Sequence, residues 1–375
     1  MTLTFQEYQP RKIVNIHKHV DGPWFWEKYS AHPYVGCRSG CEFCYQRGTR
    51  YLGRRDPQSF DTLIGIKTNA IELLQKELSR LQPEVISLGD WQQPAETRYQ
   101  LSRGMLKVVL ERGFPVFIVE RSPLITRDLD LLTEINRISW VGVLFSISNL
   151  DPRLKQAFEP RSPSIKSRLQ AMEQLALAGI YTGTSMMPII PHVGDDELHF
   201  DELIRATKDH GGRCVLASGL SMDGIQAERT LEAAQRLDPE LEARFREMYN
   251  WEPGGKPTHN PPHAYSARMG LLVRKLCARH GIADRMPRYI LPGPLAINKQ
   301  IAERLFLKTY DLELEQTKGY QAWAYRKAAW TVDELGESIA DIHRSCGEAG
   351  LREIPNIGKS LARVIAGWLQ ENRDG

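Results

Sequence analysis

The sequence predicts an α/β protein: a partial (β/α)6 barrel over residues 31–225, a helical extension over 226–316 and an all-α terminal unit over 317–375, preceded by a short extension, 1–30. Three observations carry this. Short β-rich runs alternate with helically patterned segments from 61 to about 220, strand-like runs stop after 220, and a tight turn separates two helical patterns near the end. Taken in order, the strands are one just before Cys37 (HPYVG), then VISL (85–88), VFIV (116–119), WVGVLFSI (140–147), TGTSMM (182–187) and CVLA (214–217). Segments between them, such as TNAIELLQKELSRL, place apolar residues at helical spacing. About six βα units result, and right-handed crossovers put the loops that follow the strands on one face, where chemistry sits. EAAQRL, ELEARFREMY, SARMGLLVRKLCARHG and a segment near 298–307 are helical, interrupted by the Pro/Gly/His-rich WEPGGKPTHNPPHAY. QTKG (316–319) reads as the linker to the terminal unit.

The composition, 42% hydrophobic, 9% aromatic and 25% charged over 375 residues, excludes disorder and a collagen-like chain. No run of 18 apolar residues is present and the start lacks a basic-then-apolar leader, so the expectation is a cytoplasmic protein without a membrane partner. The net charge of +3 does not by itself indicate nucleic acid, although residues 1–60 carry nine basic against five acidic side chains.

Three of the six cysteines, Cys37, Cys41 and Cys44, fall within eight residues. Clustering points to metal rather than to disulfides. Three thiolates can hold three irons of a [4Fe–4S] cluster and leave the fourth open to an exogenous ligand. Structural zinc needs a fourth protein ligand, for which His32 or a distant cysteine is available, and three unrelated buried thiols are the remaining alternative.

Cys-x3-Cys-x2-Cys with Phe43 before the third cysteine resembles the signature of radical S-adenosylmethionine (AdoMet) enzymes. HPYVGCRSGCEFCYQR, GIKTNAIELLQKEL, GDWQQPAE, FEPRSPSIKSRLQAMEQLALAGI and PIIP resemble, in order and spacing over residues 10–220, the subgroup related to spore photoproduct lyase. The resemblance implies a cluster whose open iron chelates AdoMet, reductive cleavage to a 5′-deoxyadenosyl radical, hydrogen abstraction from a substrate at the barrel mouth, and an electron donor such as flavodoxin or ferredoxin. By position it implies a cofactor-binding set of Phe43, Asp90, Gln93, Arg121 and Ser146, with Glu96 in the same loop as Asp90, and a radical-relay role for Tyr45. Tyr45 has an alternative reading as an aromatic plug in the barrel, and Glu159-Pro160-Arg161 with Arg168 has one as an internal salt bridge. The sequence departs from the subgroup in one respect: no cysteine lies in 70–100, where Ser87 falls near the position of a hydrogen-atom donor. Cys214, at a strand end, is the candidate substitute, whereas Cys277 and Cys346 read as packing residues.

The terminal segment AWAYRKAAWTVDELGESI followed by EAGLREIPNIGKSLARVIAGWLQE resembles the N-terminal helix-hairpin-helix domain of family X DNA polymerases. Its turn would set the amides of Gly358, Lys359 and Ser360 at a helix N-terminus, which favours phosphate oxygens, with Asn356 taking a left-handed turn position. Val364 stands where some of those domains carry a Schiff-base lysine, so backbone binding rather than lyase chemistry is implied. Nucleic acid, DNA first, is the expected partner, and DNA-lesion repair the expected function. The alternatives are radical modification of RNA, a peptide or a small molecule, and a non-catalytic nucleic-acid-binding protein with a structural metal.

Overall fold

The computed structural model describes residues 2–20, 22, 24–91, 94–316 and 319–374. Two compact units are present: Met1–Ile16 with Tyr29–Arg285, and His17–Lys28 with Met286–Gly375.

Among the described residues of the first unit, the main sheet contains six parallel strands in sequential order, β3 (Tyr29–Ala31), β6 (Ile86–Leu88), β7 (Val116–Glu120), β8 (Val141–Ser146), β9 (Tyr181–Ile189) and β10 (Cys214–Gly219). A seventh, β2 (Val14–Ile16), adds antiparallel to β3. β8 (VGVLFS) is buried at every position, the mark of a strand covered on both faces. Gly183 of β9 lies so close to β10 that an added Cβ would sit 2.4 Å from the Cys214 carbonyl oxygen, so only glycine allows this approach. A smaller sheet joins β1 (Thr4–Tyr8), β4 (Tyr34–Val35) and β5 (Leu63–Lys67).

The crossover helices follow the strands: α1 (Thr49–Leu52), α2 (Ala70–Leu78), α3 (Pro94–Tyr99), α4 (Leu101–Arg112), α5 (Leu129–Ile138), α6 (Pro152–Phe158), α7 (Ile165–Leu177) and α8 (Glu197–Asp209). α9 (Gly224–Leu237), α10 (Glu240–Met248) and α11 (His263–His280) complete this unit. Several starts are capped as their sequences suggest, with Asp151, Ser164 and Asp196 each accepting from a backbone N–H of the first turn.

One strand differs from expectation. HPYVG supplies β4, which pairs with β5 in the small sheet, while the first barrel strand is the preceding β3. Pro33 stands between the two, has no N–H for a ladder, and offers its carbonyl to the Lys67 amide as the chain crosses to the second sheet. The division at 285/286 also differs from boundaries at 225/226 and 316/317: Val215 donates to the Ala283 carbonyl, tying the end of this unit to β10.

The second unit packs α12 (Ala296–Leu314), α13 (Gly319–Asp333), α14 (Ile339–Glu353) and α15 (Lys359–Asp374) around buried Ile301, Leu305, Val332, Ile339, Leu361 and Ile365. Asn298 of α12 donates to the Leu335 and Glu337 carbonyls and accepts from the Ile339 amide, bracing the α13–α14 turn. Segment 17–28 contributes Trp26, 2% exposed, which meets Phe306 edge-on at 5.6 Å and donates to the Met286 carbonyl at 2.9 Å. Among the described residues no helix is long and apolar enough to cross a membrane.

Candidate active site at the barrel mouth

The parallel strands end at Ala31, Leu88, Glu120, Ser146, Ile189 and Gly219, so the loops beyond these residues form the mouth. The cysteine loop is folded by short backbone bonds, Gly40 N–H to the Cys37 carbonyl (3.1 Å) and Cys44 N–H to the Cys41 carbonyl (3.2 Å). Gly40 takes φ 57°, which a side chain would resist. Arg47 is fully buried and holds the loop from inside, donating to the carbonyls of Gly40 (3.0 Å) and Cys41 (3.3 Å) with its guanidinium 4.8 Å above Phe60. From outside, Arg229 of α9 pairs with Glu42 at 2.8 Å, and Gln226 donates to the Phe43 carbonyl.

Burial pushes the Cys37 thiol up to about 11, helped by the neighbouring Cys44. Cys41 and Cys44 are raised as well, by burial first, and Cys37 and Cys44 act on Cys41 as like charges. Opposing them is Arg121, just past β7, which the three thiolates and Glu159 hold protonated against the effect of its own burial. Three thiols in one another's field are a poor apo arrangement, but suit a centre whose irons replace their protons. Among the described residues no three His, Cys, Asp or Glu side chains converge on a point for a single ion. Thiolates that each take a separate iron need not converge, so the donor set fits a [4Fe–4S] cluster.

Below the loop runs a continuous buried chain of contacts. Arg121 lies 5.7 Å above the Phe43 ring and 3.5 Å from Glu159, Glu159 pairs with Arg168 at 2.6 Å, and Arg168 donates to the Ser146 carbonyl at 2.8 Å. Phe43, Arg121 and Ser146 are thus brought together, and Glu159 with Arg168 does form an internal salt bridge. Arg161 instead pairs with Asp61. Asp90, after β6, has φ 93°, a strained value for a side-chain-bearing residue, and its carboxyl is pushed up to about 7 by burial and by Glu120, with Lys67 opposing. His32, at the end of β3, has Nδ1 4.0 Å from Asp90. Glu96 is buried in α3, where it accepts from Tyr34, the Ser102 amide and Arg127, so it braces the fold. Gln93 lies outside the described residues.

Tyr45 does not plug the barrel: it is 58% exposed and meets Tyr51 edge-on at 5.2 Å. Cys214 requires a correction. It is the first residue of β10, hence at the end of the sheet opposite the mouth, and it is fully buried with its thiol pushed up to about 12 by burial. Strand direction, not strand membership, decides which end faces substrate, so Cys214 cannot donate hydrogen there. Ser87 sits within β6, paired with Ser30 and Phe117.

Sequence reasoning missed Glu120, Arg47 and Glu42. Glu120, 1% exposed, accepts from the amides of Trp91, Arg121 and Ser122 and so shapes two mouth loops. An acid closing an apolar strand was a usable signal for it. Glu42 acts through the distant Arg229, and Arg47 through backbone carbonyls of the loop itself, neither of which a residue pattern encodes.

In the second unit, Asn356 adopts φ 65° and donates to Thr331 Oγ1 at 2.9 Å, so the left-handed turn position is occupied as expected. Gly358, Lys359 and Ser360 are exposed at the start of the 16-residue α15.

A fold of six parallel strands with a three-cysteine loop at its mouth defines a class, and comparison with known proteins agrees with it. The chain belongs to the radical SAM superfamily: the model of that superfamily matches residues 32–204. A helix-hairpin-helix domain model matches 297–374, thereby including α12, which the expected boundary at 317 left out. α12 is the packing partner of α13, which explains why the four helices form one domain. An uncharacterized protein of Mycobacterium tuberculosis is 31% identical over 292 residues, covering 76% of this chain and 84% of that protein. A radical SAM Nα-GlyT isomerase of Pseudomonas phage M6 is 26% identical over 273 residues, covering 69% of this chain and 53% of the isomerase. Among solved structures, spore photoproduct lyase with bound AdoMet and dinucleoside spore photoproduct shares the fold at TM-score 0.51 and 17% identity, covering 70% of this chain and 79% of that one. Superfamily membership implies a [4Fe–4S] cluster and AdoMet as cofactors.

Proposed function

We propose that this chain binds a [4Fe–4S] cluster through Cys37, Cys41 and Cys44, cleaves AdoMet reductively and acts on nucleic acid, with DNA-lesion repair as the first reading. The observation that carries it is the three-thiol loop set over the Phe43–Arg121–Glu159 contacts, in a chain that also bears a helix-hairpin-helix domain. When bound, the cluster and AdoMet supply a 5′-deoxyadenosyl radical. Arg121 and Ser146 are assigned to the methionine carboxylate, Asp90 to its amino group, Phe43 to the wall of the cofactor site and Tyr45 to radical relay. The electron enters from a donor such as flavodoxin or ferredoxin.

Isomerisation is the second reading. Cys214 is remote from the mouth, and the phage relative is named as an isomerase. In such a reaction the product takes its hydrogen back from 5′-deoxyadenosine and needs no thiol of the chain.

The test uses anaerobically reconstituted protein, with 5′-deoxyadenosine measured against irradiated DNA, intact DNA, RNA and peptides. Stimulation by DNA is expected. Stimulation by peptide alone would move the substrate class, and zinc without iron would leave a binding protein.

Two further outcomes are expected. With Asp90 titrating near 7, its carboxylate fraction rises about tenfold between pH 6 and pH 8, so AdoMet affinity measured by calorimetry should rise by about that factor and be flat in Asp90→Asn. Lys359→Glu should weaken duplex binding and reduce the slope of log affinity against log salt by about 0.9. Unchanged binding would remove the hairpin from the interface.

A further inference from the structure

The basic excess of residues 1–60 is concentrated in one place. Arg47, Arg50, Arg54 and Arg55 fall within nine residues that directly follow the cysteine loop, and the first acid after them is Asp56. Arg47 is used up inside the loop, and Arg55 donates to the Val35 carbonyl and lies over Tyr8. Arg50 and Arg54 remain at the surface. Between them stands Tyr51, 45% exposed, with the Arg50 guanidinium 5.7 Å from its ring, and Tyr45 (58% exposed) meets it edge-on. The patch is held firmly from beneath. Leu52 is buried, Arg47 anchors the turn before α1, and Gly53, at φ 63°, closes that helix and turns the chain toward Arg54.

Two exposed tyrosines add nothing to a core, and paired aromatic surface beside cations that have no acidic partner among the described residues marks a binding face. Cations alone would suit any acidic partner. Aromatic rings interleaved with arginines match a strand whose bases stack and whose phosphates seek guanidinium groups. A paired duplex hides its base faces, so the complement is an unpaired strand. We infer that Tyr45, Arg50, Tyr51 and Arg54 form a docking step for single-stranded or locally opened nucleic acid, beginning one residue beyond the last cluster ligand. This rests on the proposed action on nucleic acid, and names the form in which the substrate is presented: unpaired, with its backbone held on the rim.

Full-length reconstituted protein and a fluorescent oligothymidylate, followed by anisotropy over a salt series, test this. Arg50→Gln with Arg54→Gln should weaken binding and lower the salt slope by about 1.4, at about 0.7 per lost phosphate contact on a single strand. Tyr51→Ala should weaken binding about 5- to 150-fold with the slope unchanged, and Tyr51→Phe should restore it. Arg50→Lys with Arg54→Lys should keep the slope, which guards against a loss that reflects only misfolding. Iron content is measured for every variant. Oligonucleotide binding and slope equal to wild type in both loss variants would overturn the inference. So would slower reduction by flavodoxin, with strand binding intact, because the patch would then serve an acidic protein. Failure of the wild-type protein to assemble iron would instead refute the proposed function, and strand binding would still be read separately.

Discussion

Alanine at Cys41 is expected to lower iron from about four per chain to below one, and to bring reductive AdoMet cleavage down to the assay background. Cys41 is the most enclosed of the three loop thiols, 4% exposed and packed with Phe43 and Phe158. Burial raises its pKa and Arg121 works against this, so the guanidinium favours the thiolate at this cysteine. Losing it removes one iron ligand and leaves Arg121 facing Glu159 with part of its counter-charge gone. The fold should persist, because exchanging a thiol for a methyl group removes little packing. Iron and sulfide analysis with circular dichroism on the same sample checks both halves. Cys346→Ala, at an exposed position in the helical unit, should retain full iron. Full iron in Cys41→Ala would refute the cluster assignment.

Glu159→Gln is expected to destabilise the first unit by about 3–5 kcal/mol at pH 7, measured by urea unfolding, because removing one partner of a buried pair strands the other. Glu159 and Arg168 are both buried, and Arg121 is mostly so. Burial alone would raise the Glu159 carboxyl, but Arg121 and then Arg168 outweigh it and hold the group below the usual carboxylate range. A carboxyl with a lower pKa in the folded state contributes fully above its unfolded value of about 4.5. That contribution is lost as the pH falls through the folded value. The wild type should therefore lose more stability on acidification below pH 4.5 than Glu159→Gln does. Equal slopes would mean the carboxylate is not what the two arginines answer to.

Chemistry-bearing local patterns were the legible part of this molecule. The cysteine spacing, the five strands from 85 onward and the turn at Asn356 all show in short windows because each depends on its own residues. Features set by distant partners were hidden. β3 is only Tyr-Ser-Ala and owes its place to β6 and β2, so no periodicity could reveal it. Tyr34–Val35 has a strand's composition, but its sheet was decided by β5, some thirty residues further on. The strand that carries Cys214 is legible, but a donor role needs the other end of it, and strand direction is not local information. Segment 17–28 reads as part of a leading extension, whereas its Trp26 belongs to a core completed only by the last ninety residues.

That split has a consequence for biosynthesis. Trp26 leaves the ribosome 260 residues ahead of Met286 and further ahead of Arg288 and Phe306, and at roughly 5–20 residues per second it waits about 13–55 s for them. During that interval β2 and β3, which flank the segment, can already pair, leaving the Trp26 indole without the partners that later cover it. Nascent chains stalled before residue 286 should therefore be cut by protease within 17–28, and released full-length chains should resist.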